Sequence, residues 1–118
     1  RPGARTMRPD VEAAYFALLR SREDEADLRR YADHLADEAR RLRRFASETQ
    51  AAAEDAPQRL RRRISHTDDP LTKALAQRLE AVVDELSRLD QRIEDATAYV
   101  RACELEHDRL RAEGTRGA

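Results

Sequence analysis

The chain has 118 residues and a formal net charge of −1, and 40% of its residues are charged while only 4% are aromatic. This length allows a single domain, and the scarcity of aromatic residues argues against a wide globular core, which depends on their large buried area. The balanced charge argues against a strong global attraction to nucleic acid or to a membrane surface. Charged and apolar residues are interleaved at helical spacing, which is typical of long helices and coiled coils rather than of disordered chains.

The first predicted element is a long helix over about residues 9–54, preceded by a flexible segment at 1–8. Pro9 suits a first helical turn, where its missing N–H group breaks no hydrogen bond. Leucines at every seventh position from Leu28 to Leu42 predict the apolar stripe of a coiled-coil helix. The polar segment 20–25 is expected to interrupt that stripe.

Two prolines predict breaks after this helix. Asp55 and Pro57 are suited to the N-cap and first turn of a short basic helix over about 56–64. Asp69 and Pro70 form a second start signal of the same kind, for a long helix over about 70–113. The polar residues 65–69 between them, which include His66, are therefore expected to form a loop.

The last helix has the most regular pattern in the chain. Its apolar positions alternate in steps of four and three over five heptads, with His107 at one position of the seam. Gly114 and Gly117 are expected to end the helix and open a flexible tail at 114–118. The predicted seam residues are Leu75, Leu79, Val82, Leu86, Leu89, Ile93, Ala96, Val100, Cys103 and Leu110.

A narrow apolar seam requires a partner helix, and the two long helices are nearly equal in length. We therefore predict an all-α fold, a two-helix antiparallel coiled-coil hairpin that forms a single domain over 9–113. The short basic helix is expected at its closed end.

The segment from Val11 to Leu19 is apolar on nearly every side, so one partner helix cannot cover it. Each large side chain left exposed forgoes ~1.5–3 kcal/mol of stabilisation. We therefore expect a homodimer with two-fold symmetry in which the open ends of two hairpins meet as a four-helix bundle. The residues expected at the contact are Val11, Tyr15, Phe16, Leu18 and Leu19.

Residues 40–63 contain eight arginines and three acidic residues, a net charge of +5. In a hairpin the arginines are expected to meet near the closed end, while the open end is acidic. They form a candidate partner-binding surface for phosphates or an acidic protein. The alternative is a solvated face on which the aliphatic stems of the arginine side chains cover the seam. They are Arg40, Arg41, Arg43, Arg44, Arg59, Arg61, Arg62 and Arg63.

Three further features of the sequence are candidates for chemistry. His66 is interpreted as a loop residue, because the residues that follow it differ from those of the phosphoacceptor box of sensor histidine kinases. Glu104 and His107 have the Glu-x-x-His spacing of di-iron bundles, but such a site needs two of these and two more carboxylates. Cys103 lies on the seam and is expected to act as a small buried hydrophobe. We therefore expect no catalytic residue, no metal and no cofactor.

These features predict a non-enzymatic protein–protein interaction module. It would be a coiled-coil adaptor or regulator in bacterial transcription control or cell organisation, with a protein partner and self-association. The alternative is a nucleic-acid-binding protein that uses the arginine-rich closed end. A single cysteine and the absence of a long apolar run favour a cytoplasmic protein without membrane contact.

Overall fold

The protein is all-helical over the described residues and folds as a helical hairpin. The computed structural model describes residues 8–116, without the side chains of residues 65–68 and 116. It contains helix α1 (Pro9–Asp55) and helix α2 (Gln58–Arg116), which pack against each other and are joined by two residues, Ala56 and Pro57. The predicted all-α hairpin is confirmed. Most of the predicted flexible segment 1–8, and the last two residues of the predicted tail, lie outside the described residues.

The predicted short helix and the loop after it are wrong. A single helix runs from Gln58 to Arg116, so His66 lies within α2 and Pro70 is inside it. A proline within a helix lacks one N–H donor and costs about 3 kcal/mol. Residues 58–64 and 71–79 are rich in Arg, Leu, Ala and Gln, which favour the helix on both sides, so that one local penalty does not end it.

The predicted helix end before Gly114 is also wrong, because α2 continues to Arg116. Gly114 has a negative φ and therefore does not adopt the left-handed conformation of a helix cap. A Cβ atom at this position would lie 3.4 Å from Nη1 of Arg8, which is an ordinary contact distance. The hydroxyl of Thr115 donates to the carbonyl of Arg111 at 3.0 Å within the last helical turn.

The contacts divide the chain into two compact units. The open-end unit comprises Arg1–Arg30 with Asp90–Ala118, and the closed-end unit comprises Tyr31–Leu89. In each unit a segment of α1 packs on a segment of α2. The core of the open-end unit contains Val11, Leu18, Val100, Cys103 and Leu110. The core of the closed-end unit contains Leu35, Ala39, Val82 and Leu89.

The predicted seam of α2 is confirmed at every position. From Leu75 to Leu110, each predicted residue and His107 is buried or half-buried. Between residues 71 and 110 all other residues are exposed except Glu85 and Glu104, which are half-buried. The alternation of four and three residues therefore describes which face of α2 meets α1.

The seam of α1 is continuous through residues 20–25, contrary to our expectation. Ser21 is only 3% exposed and Glu25 is half-buried, and both occupy seam positions. The Ser21 hydroxyl donates to the carbonyl of Leu18 at 2.8 Å, so its burial leaves no polar group without a partner. Polar residues with satisfied hydrogen bonds thus continue the seam where the apolar pattern of the sequence is interrupted.

The hairpin predicts an intrachain crosslink in the closed-end unit. Arg78 donates from Nε to Glu38 at 2.6 Å, so cysteines at these two positions face each other across the helices. With Cys103 replaced by Ala, a short bismaleimide should crosslink the E38C/R78C variant within one chain, as seen by gel mobility. The E38C single variant is the control, and crosslinking only between chains would contradict the hairpin.

Candidate functional site

Large apolar side chains are exposed on both helices of the open-end unit. On α1 Phe16 is 58% exposed, and on α2 Tyr99 is 60% and Leu105 is 58% exposed. Tyr15 and Leu19 are exposed to a smaller degree. The seam between the two helices does not bury these side chains. Because exposed apolar patches mark interaction surfaces, they are candidates for contact with a partner.

Small side chains lie between the large ones. Ala14 and Ala17 of α1, with Ala102 and Cys103 of α2, line a shallow groove of about 270 Å³ beside the ring of Tyr99. We use the name apolar face for Phe16, Ala17, Tyr99 and Ala102, which line this groove or the concavity beside it.

A second concavity of about 410 Å³ adjoins the apolar face, and Phe16 and Tyr99 line it together with Ala17. Its polar end is provided by Arg20 and Asp24. A hydrogen bond with the Cys103 thiol, with a smaller contribution from the charge of Asp24, raises the pKa of Tyr99. A tyrosine hydroxyl can donate a hydrogen bond, and Tyr99 lies beside Arg20 and Asp24 at the edge of the face.

The structure corrects the residues expected at a dimer contact. Val11 and Leu18 are 6% and 4% exposed, so they belong to the core of the hairpin and are not available to a second chain. Tyr15 packs on His107 with ring centroids 5.6 Å apart. Phe16 and Leu19 remain exposed.

Sequence reasoning missed the α2 half of the face. Tyr99 lies outside the seam pattern, and the apolar periodicity alone predicts no contact for it. The available signal was the spacing of Tyr99 and Ala102, which are three residues apart and so share one side of α2.

Polar contacts join the two helices on the other flank of the open-end unit. Arg22 donates to Glu104 at 3.1 Å, and the Thr97 hydroxyl donates to Glu25 at 2.5 Å. The bond from Thr97, followed by the one from Arg29, lowers the pKa of Glu25. Of the carboxylates that make this end acidic in the sequence, Glu25, Asp27, Glu104 and Glu106 form ion pairs with arginines. Glu23, Asp24 and Asp108 form none within the described residues.

Two of the eight candidate arginines have local partners. Arg61 donates to the carbonyl of Glu54 at 2.9 Å and to that of Ala56 at 3.1 Å, so it caps the C-terminal end of α1. Arg40 forms an ion pair with Asp37. The other six are exposed and form no ion pair within the described part of the chain: Arg41, Arg43, Arg44, Arg59, Arg62 and Arg63.

The two groups of arginines do not meet at one point. Arg44 precedes Glu54, the residue that Arg61 caps, by ten residues of α1, which corresponds to about 15 Å along the helix axis. The expected single cluster is therefore two separate basic patches within the closed-end unit.

The remaining candidates do not combine into a reactive site. Glu104 is engaged by Arg22, and Cys103 is buried against Leu18 and Val100, as expected for a small hydrophobe. Within residues 8–116, omitting the side chains that are not described, no group of three or more His, Cys, Asp or Glu residues is placed to hold a metal ion.

Comparison with known proteins finds no matching family model, curated protein or solved structure. In the described part of the chain, neither α1 nor α2 has an apolar stretch of the length that a membrane span requires.

The lowered pKa of Glu25 predicts a pH-dependent effect of the T97V substitution. A carboxylate with a lowered pKa stabilises the fold above its unfolded pKa of about 4.3, and this contribution is lost as the pH falls through the lower folded value. T97V should therefore lower the thermal midpoint at pH 7, and the difference from wild type should narrow below about pH 3. Circular dichroism measures both.

T72V is the matched control, because Thr72 is exposed on the same helix and has the same chemistry. It should show no such pH dependence. If T97V lowered the thermal midpoint relative to wild type by the same amount at both pH values, the result would contradict the assigned role of the Thr97 hydroxyl.

Proposed function

We propose that this protein is a non-enzymatic interaction module that self-associates through its apolar face and acts as a coiled-coil adaptor or regulator. The observation that carries the proposal is the exposure of Phe16 on α1 and Tyr99 on α2, which line one concavity of the open-end unit. Two such hairpins, joined at these faces, would form a homodimeric four-helix bundle. The single buried Cys103 is compatible with a reducing compartment, and we place the protein in the cytoplasm.

The exposed side chains of the apolar face favour association energetically. Fully burying a large apolar side chain contributes ~1.5–3 kcal/mol, so covering Phe16 and Tyr99 offsets part of the entropy lost on association. Aromatic residues are enriched at the centres of protein interfaces, where lysine and glutamate are depleted. The centre of the apolar face has this composition, and its charged residues, Arg20, Asp24 and Glu106, lie at its edges.

The shape of the face favours a second copy as the partner. Phe16 and Tyr99 project from it, while Ala17 and Ala102 leave a hollow beside them. A two-fold axis brings the projections of one chain onto the hollow of the other, and the same contact is then made twice. Small residues at the contact also allow the helices to approach closely.

A second candidate function is binding of nucleic acid by the closed-end unit. The exposed arginines without ion pairs in the described chain, such as Arg62 and Arg63, support it, because they are free to neutralise phosphates. The separation of the two basic patches and the capping role of Arg61 weaken it. We therefore rank it below self-association.

The F16S substitution tests self-association. Wild-type protein at micromolar concentration should scatter light with the mass of a dimer, and F16S should shift the mass toward that of one chain. Because Phe16 is 58% exposed, helicity and thermal midpoint at low protein concentration should change little.

Y31S is the matched control, since Tyr31 is an exposed aromatic residue of the closed-end unit. It should leave the dimer intact. A monomer mass that persists as the wild-type concentration rises would contradict the proposal.

Nucleic-acid binding is tested with the R62Q/R63Q variant, which spares the capping Arg61. If this surface binds duplex DNA, wild-type affinity should fall steeply with salt, with a slope of about −0.9 for each phosphate contacted. The variant should then bind more weakly, as measured by fluorescence anisotropy.

The R92Q/R101Q variant makes the same change of charge at exposed positions on the rest of α2 and is the control. If the two variants bind duplex DNA with equal affinity, Arg62 and Arg63 are solvated surface residues without a specific role in binding.

A further inference from the structure

A third concavity of the open-end unit has a different chemistry from the apolar face. It has a volume of about 550 Å³, and its lining combines basic, aromatic and small residues without any acidic one. Both helices contribute to it. The lining residues are Arg8, Val11, Tyr15, His107, Arg111, Gly114 and Thr115.

Arg8 provides the first basic group and lies beside Gly114. It crosses from the start of α1 to α2, and its Cδ atom is 3.5 Å from the position that a Cβ atom of residue 114 would occupy. An alanine at 114 would make ordinary contact with this side chain, whereas a branched side chain would extend into the space that Arg8 occupies. Asp10 holds one guanidinium nitrogen of Arg8 at 2.6 Å, and the remaining N–H groups are left for another acceptor.

The second basic group comes from the opposite helix. Arg111 is exposed and forms no ion pair with any residue in the described chain. One turn earlier, His107 packs its ring on that of Tyr15 at an interplanar angle of 41°. Two guanidinium groups thus approach one cavity from two helices, next to an imidazole and a phenol.

The apolar part of the cavity lies at its base. Val11 is buried, and the ring of Tyr15 stands against His107. The Thr115 hydroxyl donates its hydrogen bond to the backbone carbonyl of Arg111. The cavity therefore offers convergent donors together with an apolar wall, the combination that orients a small ligand in a binding pocket, and its volume lies in the usual range.

We propose that this cavity binds a small phosphate monoester, with the phosphate between Arg8 and Arg111 and an aromatic or aliphatic body against Val11 and Tyr15. Guanidinium groups match phosphate oxygens in charge and geometry, and charge-assisted hydrogen bonds are stronger than neutral ones. The ligand would bridge the start of α1 and the end of α2 and so stabilise the folded unit by mass action.

Phenyl phosphate is the probe, because it has both the anion and a flat apolar body. Isothermal titration of the full chain should show saturable binding with one ligand per chain, and inorganic phosphate should bind more weakly. R111Q should reduce the affinity for phenyl phosphate by about tenfold or more, as expected for a lost hydrogen bond to a charged group. Helicity measured in parallel shows that the variant folds.

R101Q is the control, since it removes the same charge from an exposed arginine of α2 that does not line this cavity. It should bind phenyl phosphate as wild type does. G114V should weaken binding by displacing Arg8. Y99S removes an apolar-face side chain that does not line the cavity, so it should leave binding unchanged, which separates this site from the apolar face. Binding that does not saturate, or that R111Q and R101Q reduce equally, would overturn the proposal.

Discussion

The pairing of two apolar seams determines the rest of this structure. In the closed-end unit, Val82 and Leu89 are almost completely inaccessible to water and, with Leu35 and Ala39, make a core only one side chain deep on each helix. Burial of such side chains contributes ~1.5–3 kcal/mol each, which makes the seam the main source of stability in a chain with few aromatic residues. The other faces of the helices are consequently free to carry charge or to meet a partner.

Polar residues adjust the seam rather than interrupt it. Ser21 satisfies its hydroxyl within α1, and Glu25 takes its hydrogen bond from Thr97 on α2. A polar group at such a position is stable only with its particular partner opposite, so it favours one register of the two helices over others. Exposed ion pairs such as Arg78 with Glu38 act in the same direction but contribute little, because water and salt screen them.

Much of the fold follows from periodicity, and the errors have identifiable causes. The α2 seam was predictable residue by residue because its positions repeat at regular steps, with His107 as the one polar exception. The seam position of Ser21 was not, since its partner is a backbone carbonyl of its own helix. The helix start predicted at Pro70 was wrong because it took account of the local cost of a proline and not of the helix-favouring residues on both sides. The apolar face was only half predicted, because pairing Phe16 with Tyr99 requires the register of the helices.

The central claim is that each chain forms its own seam and leaves the apolar face for a second copy. Isotope-filtered NOE spectroscopy on a mixture of labelled and unlabelled chains tests it directly. Intermolecular NOEs are expected between the Phe16 ring and the methyl groups of Ala17 and Ala102, while Leu18 and Val100 should show only intramolecular contacts. Intermolecular NOEs between Leu18 and Val100, or none from Phe16, would contradict the claim.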